Sequence, residues 1–344
     1  MEVWGWLIAI YLFLGGVGAG AYLTSLAADQ GFFGYTPGLK RFGFIISAPI
    51  VGIGAGLLVL DLGQGLHKPW LLIGLLSNPH SVMSWGTGIL SVFICLGLAR
   101  GYLAWRKKRS PKVLDYAGGV FALATAVYTG MLLVAVKAIP FWHNYLVPVL
   151  FLISALSTGM SATTVLTHFV EKEPSDHKRV CLSHLVLVAS ELAVLFILFT
   201  LILSGIMGPV AARSGSMLVF DNFAAVFWLL LVGVGLVGPL ILYISTHRHP
   251  GRQLKFFRVH QGQENHRPTL NCSENLGLIL ANGLQRRERI LKLPGGLRVI
   301  WCSMSKLGTP KQILVCDLAV LIGGLALRCL FIFAALPVWN GLLT

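Results

Sequence analysis

The sequence predicts an all-α integral membrane protein built from eight transmembrane helices. Three observations carry this. Hydrophobic residues make up 56% of the 344 residues and the mean hydropathy is +0.77. Charged residues are only 12%, about half the share of a soluble domain. The apolar residues also arrive in runs of about 20, the length needed to cross a bilayer. A soluble enzyme, a disulfide scaffold and a disordered chain are excluded. A β-barrel would alternate apolar and polar residues rather than run them together.

The runs place spans at 3–28, 42–62, 82–105, 114–138, 145–169, 182–206, 223–245 and 314–336. The first has no basic flank, Glu2 being its only early charge, so it reads as a retained helix and not a cleaved signal peptide. Gly16 and Gly20 form a GxxxG in span one, and Gly52 and Gly56 form another in span two. Small residues at that spacing let membrane helices approach closely. Orientation follows from charge. Of the 27 Lys and Arg, 23 lie at or near the loops after spans one, three, five and seven. Only Lys68, Lys137 and Arg213 lie on the other side, and Arg328 falls inside span eight. The positive-inside rule therefore puts the basic loops in the cytoplasm and both termini outside. The net charge of +14 is read this way, and not as a nucleic-acid surface.

Residues 1–246 hold seven spans, 313–344 hold the last span and the C-terminus, and 247–312 differ from both. This third segment is polar and of low periodicity, with 12 Lys or Arg against Glu264, Glu274 and Glu288. It reads as a flexible cytoplasmic loop without a fold, whose basic residues favour anionic lipid by about 1 kcal/mol each. The six cysteines include no CxxC pair and no cluster of four, so neither zinc nor an iron–sulfur cluster is indicated.

Ionisable groups at membrane depth are costly and mark candidate sites. Glu191, in LVLVASELAVLFILF of span six, is the clearest: a carrier on a proton path, or a structural hydrogen bond between helices. Arg328 lies nearer the outer face, so a direct pair with Glu191 is not expected. Asp61 closes span two in LVLDLGQGLHKPW and His67 follows six residues on; both could hold a polar ligand or exchange protons, or could simply be solvated. Tyr128, in VYTGMLL of span four, either packs or donates a hydrogen bond to a ligand carbonyl. Ser84 and Trp85, in SVMSWG, open span three at the same outer level, where tryptophan is ordinarily an interfacial anchor. His168 and His184 are the one histidine pair near a common level; both read as interfacial residues at the cytoplasmic edge, which argues against bis-histidine haem. No phosphate loop, dinucleotide fingerprint or HExxH occurs. A secondary transporter is a competing class, but inverted repeats and broken helices at the midplane are not evident. A membrane anchor without its own redox site is another.

Six segments, in order on successive helices, resemble the NrfD/PsrC family of membrane subunits from polysulfide-reductase-like and nitrite-reductase-like respiratory complexes. They are YLFLGGVGAGAYL (11–23), LVLDLGQGLHKPW (58–70), SVMSWGTGIL (81–90), YTGMLL (128–133), PFWHNYLVPVLFLISALSTG (140–159) and LIGGLALR (321–328). The resemblance implies two four-helix bundles in the cytoplasmic (inner) membrane of a prokaryote. It implies a quinone site, for menaquinone or ubiquinone, with no haem or iron–sulfur cluster in this chain. It implies a ferredoxin-like iron–sulfur partner subunit, and through it a molybdopterin catalytic subunit or a multihaem cytochrome. The chain would thus be a non-autonomous subunit of a quinone-dependent oxidoreductase. The family's fourth-helix tyrosine falls on Tyr128, its acidic residue closing helix two on Asp61, and its sixth-helix glutamate, associated with proton conduction, on Glu191. Two departures stand out. The link before the last helix is usually short, whereas here residues 247–312 intervene, and helix one presents Tyr11 and Gly15 where some members place polar quinone ligands.

Overall fold

The computed structural model describes residues 5–34, 36–61, 81–170, 177–248, 289–292, 298–301 and 310–336. The chain forms two units, Met1–Arg248 with Gly308–Thr344, and His249–Leu307. In the first, long helices run over Trp6–Asp29 (α1), Pro37–Asp61 (α2), Val82–Trp105 (α3), Lys112–Val134 (α4), Leu146–Val170 (α5) and His177–Leu203 (α6). A short helix, α7, covers Pro209–Val219. The seventh span starts as a π-helical stretch, Val226–Val237, and continues as α8, Gly238–Arg248. The last helix, α9, is Pro310–Phe333. Eight of these stretches are long and apolar enough to cross a membrane, and they coincide with the eight predicted spans.

Local chemistry sets the helix ends. Pro37, Pro209 and Pro310 occupy first helical positions, where the missing N–H costs nothing. Gly205 and Gly208 adopt positive φ (77° and 94°) and make the turn into α7, an element too short and mixed to show in the hydropathy pattern. The π ladder persists to Gly238, whose N–H reaches back five residues to the Gly233 carbonyl. Pro239 follows and has no N–H to extend that ladder, so the chain resumes as an α-helix. Buried hydroxyls in the spans donate back to carbonyls four residues earlier, as Thr24 does to Gly20 and Thr163 to Gly159.

Helix α1 is the hub and packs against α2, α4, α5 and α9. Its Gly20 lies so close to α5 that a Cβ there would overlap the Ala155 carbonyl. The first GxxxG is thus a close helix approach. The second is not: Gly52 and Gly56 have no atom within 4 Å of where a Cβ would stand, and Gly54 between them faces α1 instead, 3.2 Å from the Leu14 Cβ. The spacing is the same, but the face it marks points away from the neighbouring helix. The linker into α5 is tied to α9 by the Trp142 indole N–H, which donates to the Phe331 carbonyl at 2.7 Å, with Phe141 and Phe151 packed on the Phe331 ring. Near the end marked by Arg106–Arg109 (the basic end below), Arg100 of α3 is ion-paired with Asp115 of α4. Its guanidinium lies 4.0 Å from the centroid of the Phe44 ring.

The second unit contains a hairpin, β1 (Arg289–Lys292) antiparallel to β2 (Arg298–Trp301), with Ile290 paired to Ile300 and Leu291 to Val299. Two four-residue strands are too short to give a periodic signal in the sequence, though Ile290, Val299 and Ile300 are β-branched.

Candidate functional site

Two constellations of polar side chains are built into the helix bundle. The first lies toward the end of the bundle opposite the basic end. Tyr128 is 7% exposed, and its ring rests on the backbone of Gly86 in α3, where no Cβ could fit. Tyr11 of α1 is fully buried and packs on Gly54 of α2. Its hydroxyl has no hydrogen-bond partner among the described residues. At 1.5 Å per residue, Tyr11, Gly54, Gly86 and Tyr128 all lie about 6–11 Å in from their helix ends. Four helices thus meet at one level around two tyrosine hydroxyls and two glycine surfaces.

The other candidates from the sequence fall around this level. Ser84 is buried in the first turn of α3. Trp85 beside it is 66% exposed on the outside of the bundle, the position of an interfacial anchor. Asp61 is the last residue of α2, six or seven residues beyond the tyrosine level, and its side chain lies outside the described residues, as does His67 entirely. Tyr11, read from the sequence only as a departure, is the residue that the geometry adds. Its signal was a tyrosine within an otherwise apolar and glycine-rich span.

The second constellation surrounds Glu191, which is 3% exposed. Ser157 of α5 donates to its Oε2 at 2.8 Å, and Ser154 stands one turn earlier on the same helix face. Ser154 accepts from Arg328 Nη1 of α9, which also donates to the Gly324 carbonyl at 2.9 Å. Arg328 is fully buried, with its guanidinium 5.3 Å over Phe151 and against Gly16 of α1. Glu191 and Arg328 are not ion-paired; they bond neighbouring serines of α5, Ser157 and Ser154. Nε and Nη2 of Arg328 have no partner among the described residues. One sequence expectation is corrected here. His168 is exposed, as an interfacial residue should be, but His184 is completely buried, because Tyr243 of α8 stacks on its ring and Asp317 of α9 lies 3.5 Å from its Nε2.

The comparisons with known proteins agree with this architecture. The family model described as "Polysulphide reductase, NrfD" matches residues 2–256. The protein is 29% identical over 273 residues to the C subunit of polysulfide reductase from Wolinella succinogenes, covering 71% of this sequence and 83% of that one. It is 30% identical over 279 residues to protein NrfD of Escherichia coli K12, covering 72% and 86%. It is 26% identical over 275 residues to an NrfD homologue of Haemophilus influenzae, covering 70% and 82%. With eight membrane-length helices and a family match across most of its length, the chain belongs to the NrfD family of polysulphide-reductase-type membrane proteins.

Proposed function

We propose that this chain is the quinone/quinol-binding membrane subunit of a respiratory oxidoreductase complex. It exchanges electrons between the quinone pool and a ferredoxin-like iron–sulfur subunit, which serves a molybdopterin enzyme or a multihaem cytochrome. The supporting observation is the buried Tyr11 hydroxyl, unclaimed by the described residues, at the same depth as Tyr128 where four helices converge. A buried tyrosine hydroxyl ordinarily finds a partner. The residues fit a quinone: two tyrosine hydroxyls can donate to its ring carbonyls, and Gly54 and Gly86 let the two tyrosine rings seat close against α2 and α3. A bound quinone, whether menaquinone or ubiquinone, supplies a lipid-soluble carrier of two electrons and two protons. Tyr11 and Tyr128 would orient it, Ser84 would line the same level, and Trp85 would mark the rim. Asp61 and His67, at the end of α2 and beyond it, would exchange protons with the aqueous side.

The same reading gives Glu191 the role of proton carrier, held by Ser157, with Ser154 and its Arg328 donor one turn away. It places the basic loops in the cytoplasm, both termini outside in a prokaryotic inner membrane, and the helices in two bundles of four. Two cycles of packed neighbours support that division: α1–α2–α3–α4, and α5–α6–seventh span–α9.

Titrating the detergent-solubilised full-length protein with a fluorescent quinol analogue tests the site. Saturable quenching that weakens in Tyr128→Phe and in Tyr11→Phe is expected. If folded protein gives no saturable quenching, either alone or with its partner subunits, the chain is an anchor and the quinone reading fails.

A further inference from the structure

The buried polar groups do not stop at Glu191. Closer to the basic end, Asp317 of α9 is fully buried about 10 Å from the helix start, in the first third of a membrane-length helix. The Tyr243 hydroxyl donates to its Oδ1 at 2.9 Å. His184 Nε2 lies 3.5 Å from the same oxygen and 3.4 Å from the Thr164 hydroxyl. Cys181 is buried nearby, its thiol 4.0 Å from the Tyr243 carbonyl. No arginine or lysine is ion-paired with Asp317 among the described residues. Three polar atoms in this cluster are left without a partner among the described residues: Asp317 Oδ2, His184 Nδ1 and Ser161 Oγ.

Unsatisfied polar atoms inside a bundle require a reason. One proton resolves two of the three. If Asp317 is a carboxylic acid, its Oδ2–H can donate to Ser161 Oγ while Oδ1 keeps the bond from Tyr243. No buried charge then remains uncompensated, which matters at this depth.

Ser161 is also the next step of a file. Ser154, Ser157, Ser161 and Thr164 recur at alternating intervals of three and four, the period of a single helix face. Measured from the basic end at 1.5 Å per residue, His184 and Asp317 lie at about 10 Å and Ser161 at about 14 Å. Ser157 and Glu191 lie at about 20 Å, Ser154 at about 24 Å, and Arg328 and Tyr11 at about 27 Å. Hydrogen bonds join Ser157 to Glu191 and Arg328 to Ser154, whereas the step from Asp317 to Ser161 and the helical turn from Ser161 to Ser157 are ones that a single water can bridge.

We propose that His184 and Asp317 form a proton-loading site at the basic end of the bundle, which serves Glu191 through the hydroxyl face of α5. A proton taken up by His184 gives an imidazolium, and its transfer to the Asp317 carboxylate leaves a neutral imidazole and a carboxylic acid. The acid then passes the proton along Ser161 and Ser157 to the Glu191 carboxylate. Charge and protons balance at each step and no electron moves. Tyr243 is a positioning residue that holds the Asp317 carboxyl. The inference rests on Glu191 being a proton carrier. It adds a second carboxyl on a helix that lies outside the residues matched by the family model.

The test is infrared spectroscopy of the full-length protein in lipid vesicles, following deuterium exchange of the C=O bands of protonated carboxyl groups across the pH range in which the protein stays folded. Bands are assigned by their loss in Asp317→Asn and Glu191→Gln. The expected result is one exchangeable band from each residue. Deuteration of the Glu191 band should slow by about a hundredfold in Asp317→Asn, and likewise in the milder Ser161→Ala and His184→Gln, as for loss of a positioned proton-transfer group. If Asp317→Asn fails to fold, Ser161→Ala alone decides the question. A Glu191 band that exchanges at the wild-type rate in folded Ser161→Ala overturns the relay while leaving Glu191 as a carrier. Failure of Glu191→Gln to remove any band overturns both. Quinol-analogue binding, measured on the same vesicles, reports on the tyrosine site independently and should be unchanged in Ser161→Ala.

Discussion

The contact between Gly86 and Tyr128 makes the tyrosine site open to a single-methyl perturbation. In Gly86→Ala the new Cβ would stand well inside the Tyr128 ring, far closer than the roughly 3.5–4.0 Å at which carbon atoms pack. Restoring contact distance requires the ring to retreat by about 2 Å, and inserted methyl groups of this kind cost about 1–3 kcal/mol. A hydrogen bond from the Tyr128 hydroxyl to a ligand carbonyl cannot survive such a shift. Losing it costs about 0.5–1.5 kcal/mol, or roughly 2- to 13-fold in affinity. Gly88 is the internal control, because a Cβ there meets nothing within 4 Å. Quinol-analogue quenching should therefore weaken several-fold in Gly86→Ala and stay unchanged in Gly88→Ala. The double variant Gly86→Ala/Tyr128→Phe should be no weaker than either single one, since both remove the same bond. Unchanged affinity in a folded Gly86→Ala protein, or equal damage from Gly88→Ala, would refute the argument.

Four other expectations follow, three from the packing and one from the distribution of charge. Gly20→Ala should lower the thermal stability of the solubilised protein by several kcal/mol through overlap with α5, whereas Gly52→Ala and Gly56→Ala should be neutral or slightly stabilising, since helical alanine is favoured over glycine by about 0.5–1 kcal/mol. Trp142→Phe should cost about 1–3 kcal/mol by stripping the Phe331 carbonyl of its donor, measured by the same melt. Arg100→Leu should cost about 3–5 kcal/mol because Asp115 is left buried and unpaired, and adding Asp115→Leu should recover much of it. In a background with the native cysteines removed, Ser110→Cys should be labelled by an impermeant thiol reagent only from the cytoplasmic side; labelling from outside would invert the orientation.

The eight spans were legible because each is a single long apolar run, and the membrane leaves helices and closed barrels as the only backbone solutions. The side of a helix that a residue occupies was less legible. Gly16–Gly20 and Gly52–Gly56 have the same spacing, yet only the first faces a neighbour, and which face is buried depends on where α5 lies. Glu191 was visible as a lone carboxylate at depth, but its serine partner was not, since no sequence signal fixes the register of α5 against α6. His184 was read as interfacial and Asp317 was passed over because each stands only seven residues from its helix start, where a polar residue ordinarily meets water. Their burial comes from three helices closing over that end. Tyr11 was conspicuous in type but gave no hint that its hydroxyl would be buried without a partner among the described residues.

The position of α9 in the chain has a consequence in time. Arg328 and Asp317 belong to the last helix made, whereas the groups they meet, Ser154, His184 and Tyr243, belong to helices synthesised earlier. Between Arg248 and Pro310 the ribosome must add 61 residues. At about 5–20 residues per second that is a wait of roughly 3–12 s. For those seconds a seven-span intermediate stands in the bilayer with a buried glutamate, a histidine and an open flank along α1 and α5. The nascent chain therefore needs shelter on that flank during its own synthesis, and the insertion machinery or a preassembled partner must supply it until α9 arrives.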